Sequence, residues 1–206
     1  MSALNDEGLK LMTWNVNSLG PRESQIRFLT YIQKSPANIS VLIDTWLSKT
    51  LEAGLKSMWG KTCYFNSLCG NARGIAVLIK DGVELENLEW QNIIQGNLWK
   101  FTFTFKHNKY AIECLYASNK DSSQNNESET FFWAVFDDAQ DSNIQHTINV
   151  GDYNVDPVHN MDTGGCLYIN NPVSRQYIRS RMMTIKLTDI WRDRHPTTRN
   201  FTFDKL

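Results

Sequence analysis

The sequence predicts an α/β fold in which two stacked mixed β-sheets are flanked by helices. Three observations lead there. A strand–helix–strand unit opens the chain, short strand-like segments separated by turn residues fill its middle, and helices return in the last third beside one more strand.

Leu9 to Val16 alternates apolar and polar residues and is rich in strand formers, so it reads as a first strand, broken by Gly20-Pro21. Ile26, Phe28, Leu29 and Ile32 recur at helical spacing up to Lys34, and Ser35-Pro36 closes the helix. Ile39 to Ile43 is a short apolar run, as in a buried strand. Strand, helix and strand in that order form a crossover unit with parallel neighbours.

Strand-like segments follow at Thr62 to Leu68, Gly74 to Lys80, Leu98 to Phe105 and Tyr110 to Tyr116. Gly70-Asn71, Asp81-Gly82 and His107-Asn108 read as hairpin turns between them. Asp121 to Glu129 is a polar loop, and Phe131 to Ala139 reads as a helix. His146 to Val150 is a strand leading into Gly151-Asp152-Tyr153-Asn154. Arg175 to Lys186 is helical, and Leu187 to Trp191 is strand-like. There is no internal repeat and no linker, so residues 1–206 are expected to form a single domain.

A 41% hydrophobic, 21% charged composition suits a globular protein with a sizeable core. No apolar stretch approaches the roughly 18–20 residues that span a bilayer, and the polar, acidic N-terminus is not a signal peptide. Cys63, Cys69, Cys114 and Cys166 are scattered without zinc spacing, which suggests reduced, mostly buried thiols. A cytoplasmic or nuclear protein without a membrane partner is expected. The net charge of −1 does not by itself advertise a polyanion partner. Its distribution is more informative: residues 171–206 carry eight Lys/Arg against three Asp, a surplus of five positive charges. A solvated helix face explains most of these charges, and a phosphate-contacting edge is the sharper reading.

Candidate chemistry gathers at strand ends. Asp152 and Asn154, two apart after an apolar strand, are expected on one face, where a carboxylate and an amide can hold a hard cation or orient a water. An Asp/Asn turn is the bland alternative. Asn15 ends the first strand, Asp44 ends the second and Tyr116 ends another. Each has an ordinary structural role available, as a cap or a core aromatic. Strand ends on one sheet edge converge, so five such residues in order point to a single site.

The motifs TWNVNS, LIDT, ARGIAVLI, LYASN, GDYN and LTDIWRDRHPTTRNFTF occur in that order from about Leu9 to Phe203. In this the chain resembles the endonuclease/exonuclease/phosphatase superfamily. The likeness is greatest to the branch of apurinic/apyrimidinic endonucleases and the endonuclease domains of non-LTR (LINE-type) retrotransposons. The resemblance implies a DNase I-like four-layer sandwich and a magnesium-dependent DNA endonuclease, with manganese as a possible substitute. It makes Asp44 the metal-ligating carboxylate, with Asn15 helping to hold the metal or phosphate. Tyr116 would stabilise the phosphate, Asp152 would activate the attacking water, and Asn154 would hold that water and a phosphoryl oxygen. Asn119 and Thr202 would lie near the nucleic-acid backbone. One DNA phosphodiester would be hydrolysed to a 3′-hydroxyl and a 5′-phosphate. In a retrotransposon that 3′-hydroxyl primes a reverse transcriptase, expected downstream in the same polyprotein. A monomer is expected.

Two departures from the family pattern bear on activity. Asp44 stands where the family usually has Glu, one methylene longer. Family members also continue past the Phe-Thr-Phe segment into an Asp-bearing strand and a terminal Ser-Asp-His motif, whereas this sequence stops at Leu206. None of His107, His146, His159 and His195 matches that histidine. The resemblance therefore implies a domain incomplete at its C-terminus, lacking the last strands and weak or inactive, since loss of a general base costs factors of roughly 10²–10⁴. An abasic-site repair endonuclease and a catalytically dead nucleic-acid-binding remnant remain as alternatives.

Overall fold

A computed structural model describes residues 8–68, 73–117, 127–137, 143–155 and 171–198. The first sheet contains β1 (Leu11–Asn15), β2 (Ile39–Ile43), β3 (Cys63–Asn66) and β4 (Ile75–Ile79), in the order β1-β2-β4-β3. β1 and β2 are parallel and the other pairs antiparallel. The predicted crossover is present: α1 (Arg22–Lys34) joins β1 to β2. It buries Phe28, Leu29 and Ile32 and ends where Ser35 precedes Pro36.

The second sheet holds β5 (Glu86–Ile94), β6 (Leu98–Phe105), β7 (Asn108–Tyr116) and β8 (His146–Asp152), in that order. The first three are antiparallel, and β8 runs parallel to β7. Ile39, Val41 and Ile43 of the first sheet pack against Phe101, Phe103, Ile112 and Cys114 of the second, forming the core between the sheets. A second cluster lies on the other face of the first sheet, where Leu42, Ala76 and Leu78 meet Phe28, Leu29 and Ile32 of α1. Leu55 and Trp59 of α2 (Lys49–Trp59) complete it. Strands β2 and β4 are buried on both faces, which explains their unbroken apolar runs.

These elements form one compact unit. A second unit contains α3 (Glu127–Asp137), α4 (Pro172–Ile185) and α5 (Ile190–Arg194). In it α3 packs on α4. Phe132, Val135 and Phe136 of α3 and Ile178 of α4 are buried. Two mixed four-stranded sheets flanked by helices are thus the predicted class.

Several local expectations need correction. Leu187 to Trp191 is not a strand. The Asp189 carboxylate accepts from Arg192 N at 3.0 Å and caps the short helix α5. The Arg192 guanidinium then donates to the carbonyls of His195 and Thr198. Asp81-Gly82 is a turn, but it leads from β4 in one sheet to β5 in the other and so closes no hairpin. The β6–β7 turn falls on Lys106-His107 rather than His107-Asn108. Both turn residues have positive φ (46° and 67°), the backbone of a tight two-residue hairpin. Glu127, Ser128 and Glu129, read as loop, open α3. Helix α2 and strand β5 were not foreseen. Cys63 and Cys114 are buried free thiols, and burial pushes the thiol pKa of both up. No helix among the described residues is long and apolar enough to cross a membrane.

Candidate active site

Each sheet contributes one parallel pair, and parallel pairs bring two C-terminal strand ends side by side. Asn15 ends β1, and Asp44 follows the last residue of β2. Tyr116 and Asp152 end β7 and β8 and are register partners. The two sheet edges are joined by a side chain: Asn15 Nδ2 donates to Asp152 Oδ2 at 2.8 Å. Asn15 is itself oriented by Asn17, whose backbone N–H donates to Asn15 Oδ1 at 3.0 Å.

Asp44 is 6% exposed. Its Oδ1 accepts from the indole Nε1 of Trp46 at 2.6 Å, and its carboxylate acts on the Tyr116 phenol. The Tyr116 phenol is pushed up to about 12, first by burial, then by the negative charges of Asp44 and Asp152 and by its bond to Asp44. The Arg73 guanidinium opposes this shift. One phenol therefore feels two carboxylates and a cation.

The Gly-Asp-Tyr-Asn motif divides its work. Gly151 has φ of 147°, and a Cβ there would collide with the carbonyl of Leu115, its register partner on β7. Glycine thus permits the close parallel approach that sets Asp152 beside Tyr116. In the second unit, Tyr153 stacks parallel to Phe132 with ring centroids 6.1 Å apart. Asn154 lies beyond the strand with φ of 50°, so strand alternation does not set its direction. Its Nδ2 donates to the Ala117 carbonyl at 2.8 Å, and its own carbonyl accepts from Asn171 Nδ2.

The segments around the site are held in left-handed backbone. Asn17, Ser18, Asp44, Trp46 and Arg73 all have positive φ. Each such residue costs on the order of 1–3 kcal/mol, a strain that persists only where surrounding bonds hold it. Here they do: Ser18 N donates to Asp44 O and Trp46 N to Arg73 O, both at 2.8 Å, while Thr45 N donates to Gly74 O at 3.2 Å.

Asp44, Asp152 and Asn15 offer only oxygen ligands, the kind a hard divalent cation takes. A carboxylate has about four lone-pair sites, so Asp44 retains acceptor capacity beyond Trp46 and Tyr116. Among the described residues no three His, Cys, Asp or Glu side chains gather. The donor set therefore fits a cation held by few protein ligands and completed by water and phosphate, as Mg²⁺ commonly is.

Asn15, Asp44, Tyr116 and Asp152 are thus brought together as the sequence suggested. Asn119 and Thr202 lie outside the described residues. Sequence reasoning missed Trp46, Arg73 and Asn97, the last of which donates from Nδ2 to the Tyr116 carbonyl and accepts from Arg73. Arg73 sits inside the quoted ARGIAVLI motif, but nothing in the motif distinguishes its charge from any other surface arginine.

No family model matches the chain. It is similar to the transposon TX1 uncharacterized 149 kDa protein of Xenopus laevis, 21% identical over 204 residues. That match covers 96% of this chain but only 15% of the transposon protein, so the chain corresponds to a small part of it. An AP endonuclease from Archaeoglobus fulgidus superposes with a TM-score of 0.73 at 16% identity, covering 96% of this chain and 79% of the other. A 3′-5′ exonuclease from Neisseria meningitidis does so with a TM-score of 0.70 at 23% identity, covering 92% and 76%. The chain has the fold of the endonuclease/exonuclease/phosphatase proteins, as its motifs implied.

Proposed function

We propose that the chain is a metal-dependent phosphodiesterase domain that nicks DNA, leaving a 3′-hydroxyl and a 5′-phosphate. The observation that carries this reading is the joining of Asn15, Asp44, Tyr116 and Asp152 at adjacent strand ends of the two sheets. Phosphodiester hydrolysis needs a water aimed in line and charge stabilisation on the phosphoryl oxygens. Asp152, fixed by the Asn15 amide, is suited to take a proton from that water. The Tyr116 phenol stays protonated at neutral pH and so remains a hydrogen-bond donor. A magnesium or manganese ion held by Asp44 and Asn15 would neutralise charge on the phosphate. Asn154, Asn119 and Thr202 enter as substrate contacts by resemblance.

The likeness to a transposon protein across 96% of the chain supports a setting within a longer transposon polyprotein. Intact DNA as substrate and a reverse transcriptase beside the domain are what the family resemblance implies. Supercoiled plasmid with Mg²⁺ tests the activity. Slow nicking is expected, in keeping with the weak activity that the family resemblance implies, suppressed by EDTA and with ends that a DNA polymerase extends without prior phosphatase treatment. Cleavage confined to abasic duplex would favour the repair reading instead. Absence of both cleavage and Mg²⁺ binding would favour a remnant that only binds nucleic acid.

A further inference from the structure

One cation beside Tyr116, Arg73, has no part in the proposed chemistry. Arg73 directly precedes Gly74 and β4, is exposed, and has φ of 62°. Its carbonyl is fixed by the N–H of Trp46 at 2.8 Å. Its guanidinium Nη1 donates to Asn97 Oδ1 at 2.8 Å. Asn97 is 5% exposed and bonded twice to the end of β7. Its Nδ2 donates to Tyr116 O at 2.6 Å, and its carbonyl accepts from Tyr116 N at 2.8 Å. A buried amide therefore ties the guanidinium to the residue paired with Asp152. Among the described residues no carboxylate lies within ion-pair distance of Arg73.

A bland account would make Arg73 a clasp between the segment before β4 and the start of β6. A clasp of that kind needs one N–H. Guanidinium offers five in a planar fork, and Asn97 takes one. The site also has an electrostatic difficulty that a clasp ignores. Asp44 and Asp152 both face Tyr116, and two carboxylates repel a phosphodiester anion. A cation held in advance offsets that repulsion without reorganising when substrate arrives.

We propose that Arg73 is a phosphate-binding residue of this site, positioned by Asn97, and that it takes a non-bridging oxygen of the DNA phosphodiester. This rests on the nuclease reading only for the identity of the anion. Arginine suits the task because its fork matches two phosphoryl oxygens, which a lysine ammonium cannot do.

The test measures binding of a fluorescent DNA duplex and of inorganic phosphate to the full chain in EDTA, across a salt series. Circular dichroism checks that each variant is folded. Arg73→Ala and Arg73→Gln are expected to weaken duplex binding by about 10-fold and flatten the log–log salt slope by about one unit, the signature of one lost phosphate contact. Arg73→Lys should keep the slope while losing affinity. Asn97→Ala should also keep it, since the charge remains but is no longer aimed. A slope and affinity unchanged in both neutral variants would overturn the proposal and leave the nuclease reading intact. Arg73-dependent phosphate binding without duplex binding or nicking would keep Arg73 as a phosphate-binding residue, overturn DNA as its ligand and sink the nuclease reading. A wild-type chain that binds neither probe would overturn the proposal and leave the metal-dependent nuclease reading to the nicking assay.

Discussion

The amide of Asn15, at the end of β1, donates to the carboxylate of Asp152, at the end of β8, across 2.8 Å. The bond joins the two sheets at the edge where the candidate chemistry lies. It also fixes the direction of the group proposed to activate water. Asn15→Ala removes that restraint from an exposed position, so stability should change little. Nicking should fall by roughly 10- to 100-fold, as expected when a positioned base loses its orientation. Parallel plasmid-nicking rates and urea melts check both halves.

Gly151→Ala should act the opposite way, on folding first. The new Cβ would meet the Leu115 carbonyl, and φ of 147° is closed to ordinary side chains. A loss of at least about 3 kcal/mol is expected from strain plus displacement of backbone. Urea denaturation measures it.

These two residues show how far the sequence could be read. The parallel crossover, the buried apolar strands and the strand-end positions of Asn15, Asp44, Tyr116 and Asp152 were legible because apolar runs and the polar residues that follow them are local signals. The role of Gly151 was not, since it depends on Leu115, a partner in another strand. Helix α2 carried signals that went unused: Ser48 caps Leu51 N, Leu55 and Trp59 share one face, and Gly60 ends the helix in left-handed backbone. Strand β5 is an edge strand, broken in register and largely exposed, so it lacks the clean alternation of a half-buried strand. Asp189 turned an apolar run into a helix start through one side-chain bond. Trp46 became visible only through its bond to Asp44, Asn97 through its bond to Tyr116 and Arg73 through its bond to Asn97.

Tyr116 gives a pH prediction. Its folded pKa, about 12, lies above the ordinary value of 10.0. A raised pKa means the folded chain holds the proton longer. Its contribution to stability is therefore present below about pH 10 and is lost as pH rises through about 12. An ultraviolet difference titration of wild type against Tyr116→Phe should show one phenol titrating well above the rest. Asp152→Asn should lower that midpoint, and Arg73→Ala should raise it. A midpoint at the ordinary tyrosine value would mean the carboxylates are not where they are described.

Lys100 and Glu113 form a cross-strand pair on β6 and β7, nearly inaccessible to solvent, with Nζ and Oε1 3.9 Å apart. Lys100→Met leaves a buried charge behind and should cost roughly 3–5 kcal/mol. Adding Glu113→Leu should recover most of it, because a well-packed apolar pair is often as stable as a buried ionic one. Chemical denaturation of the single and double variants reads this directly.

Asp152 is proposed to activate the water that cleaves DNA. Its most direct test is the single-turnover nicking rate of wild type and Asp152→Asn with Mg²⁺, with matched circular dichroism. Mg²⁺-dependent nicking is expected to fall at least about 10²-fold in the folded variant. Equal rates in the two proteins would contradict it.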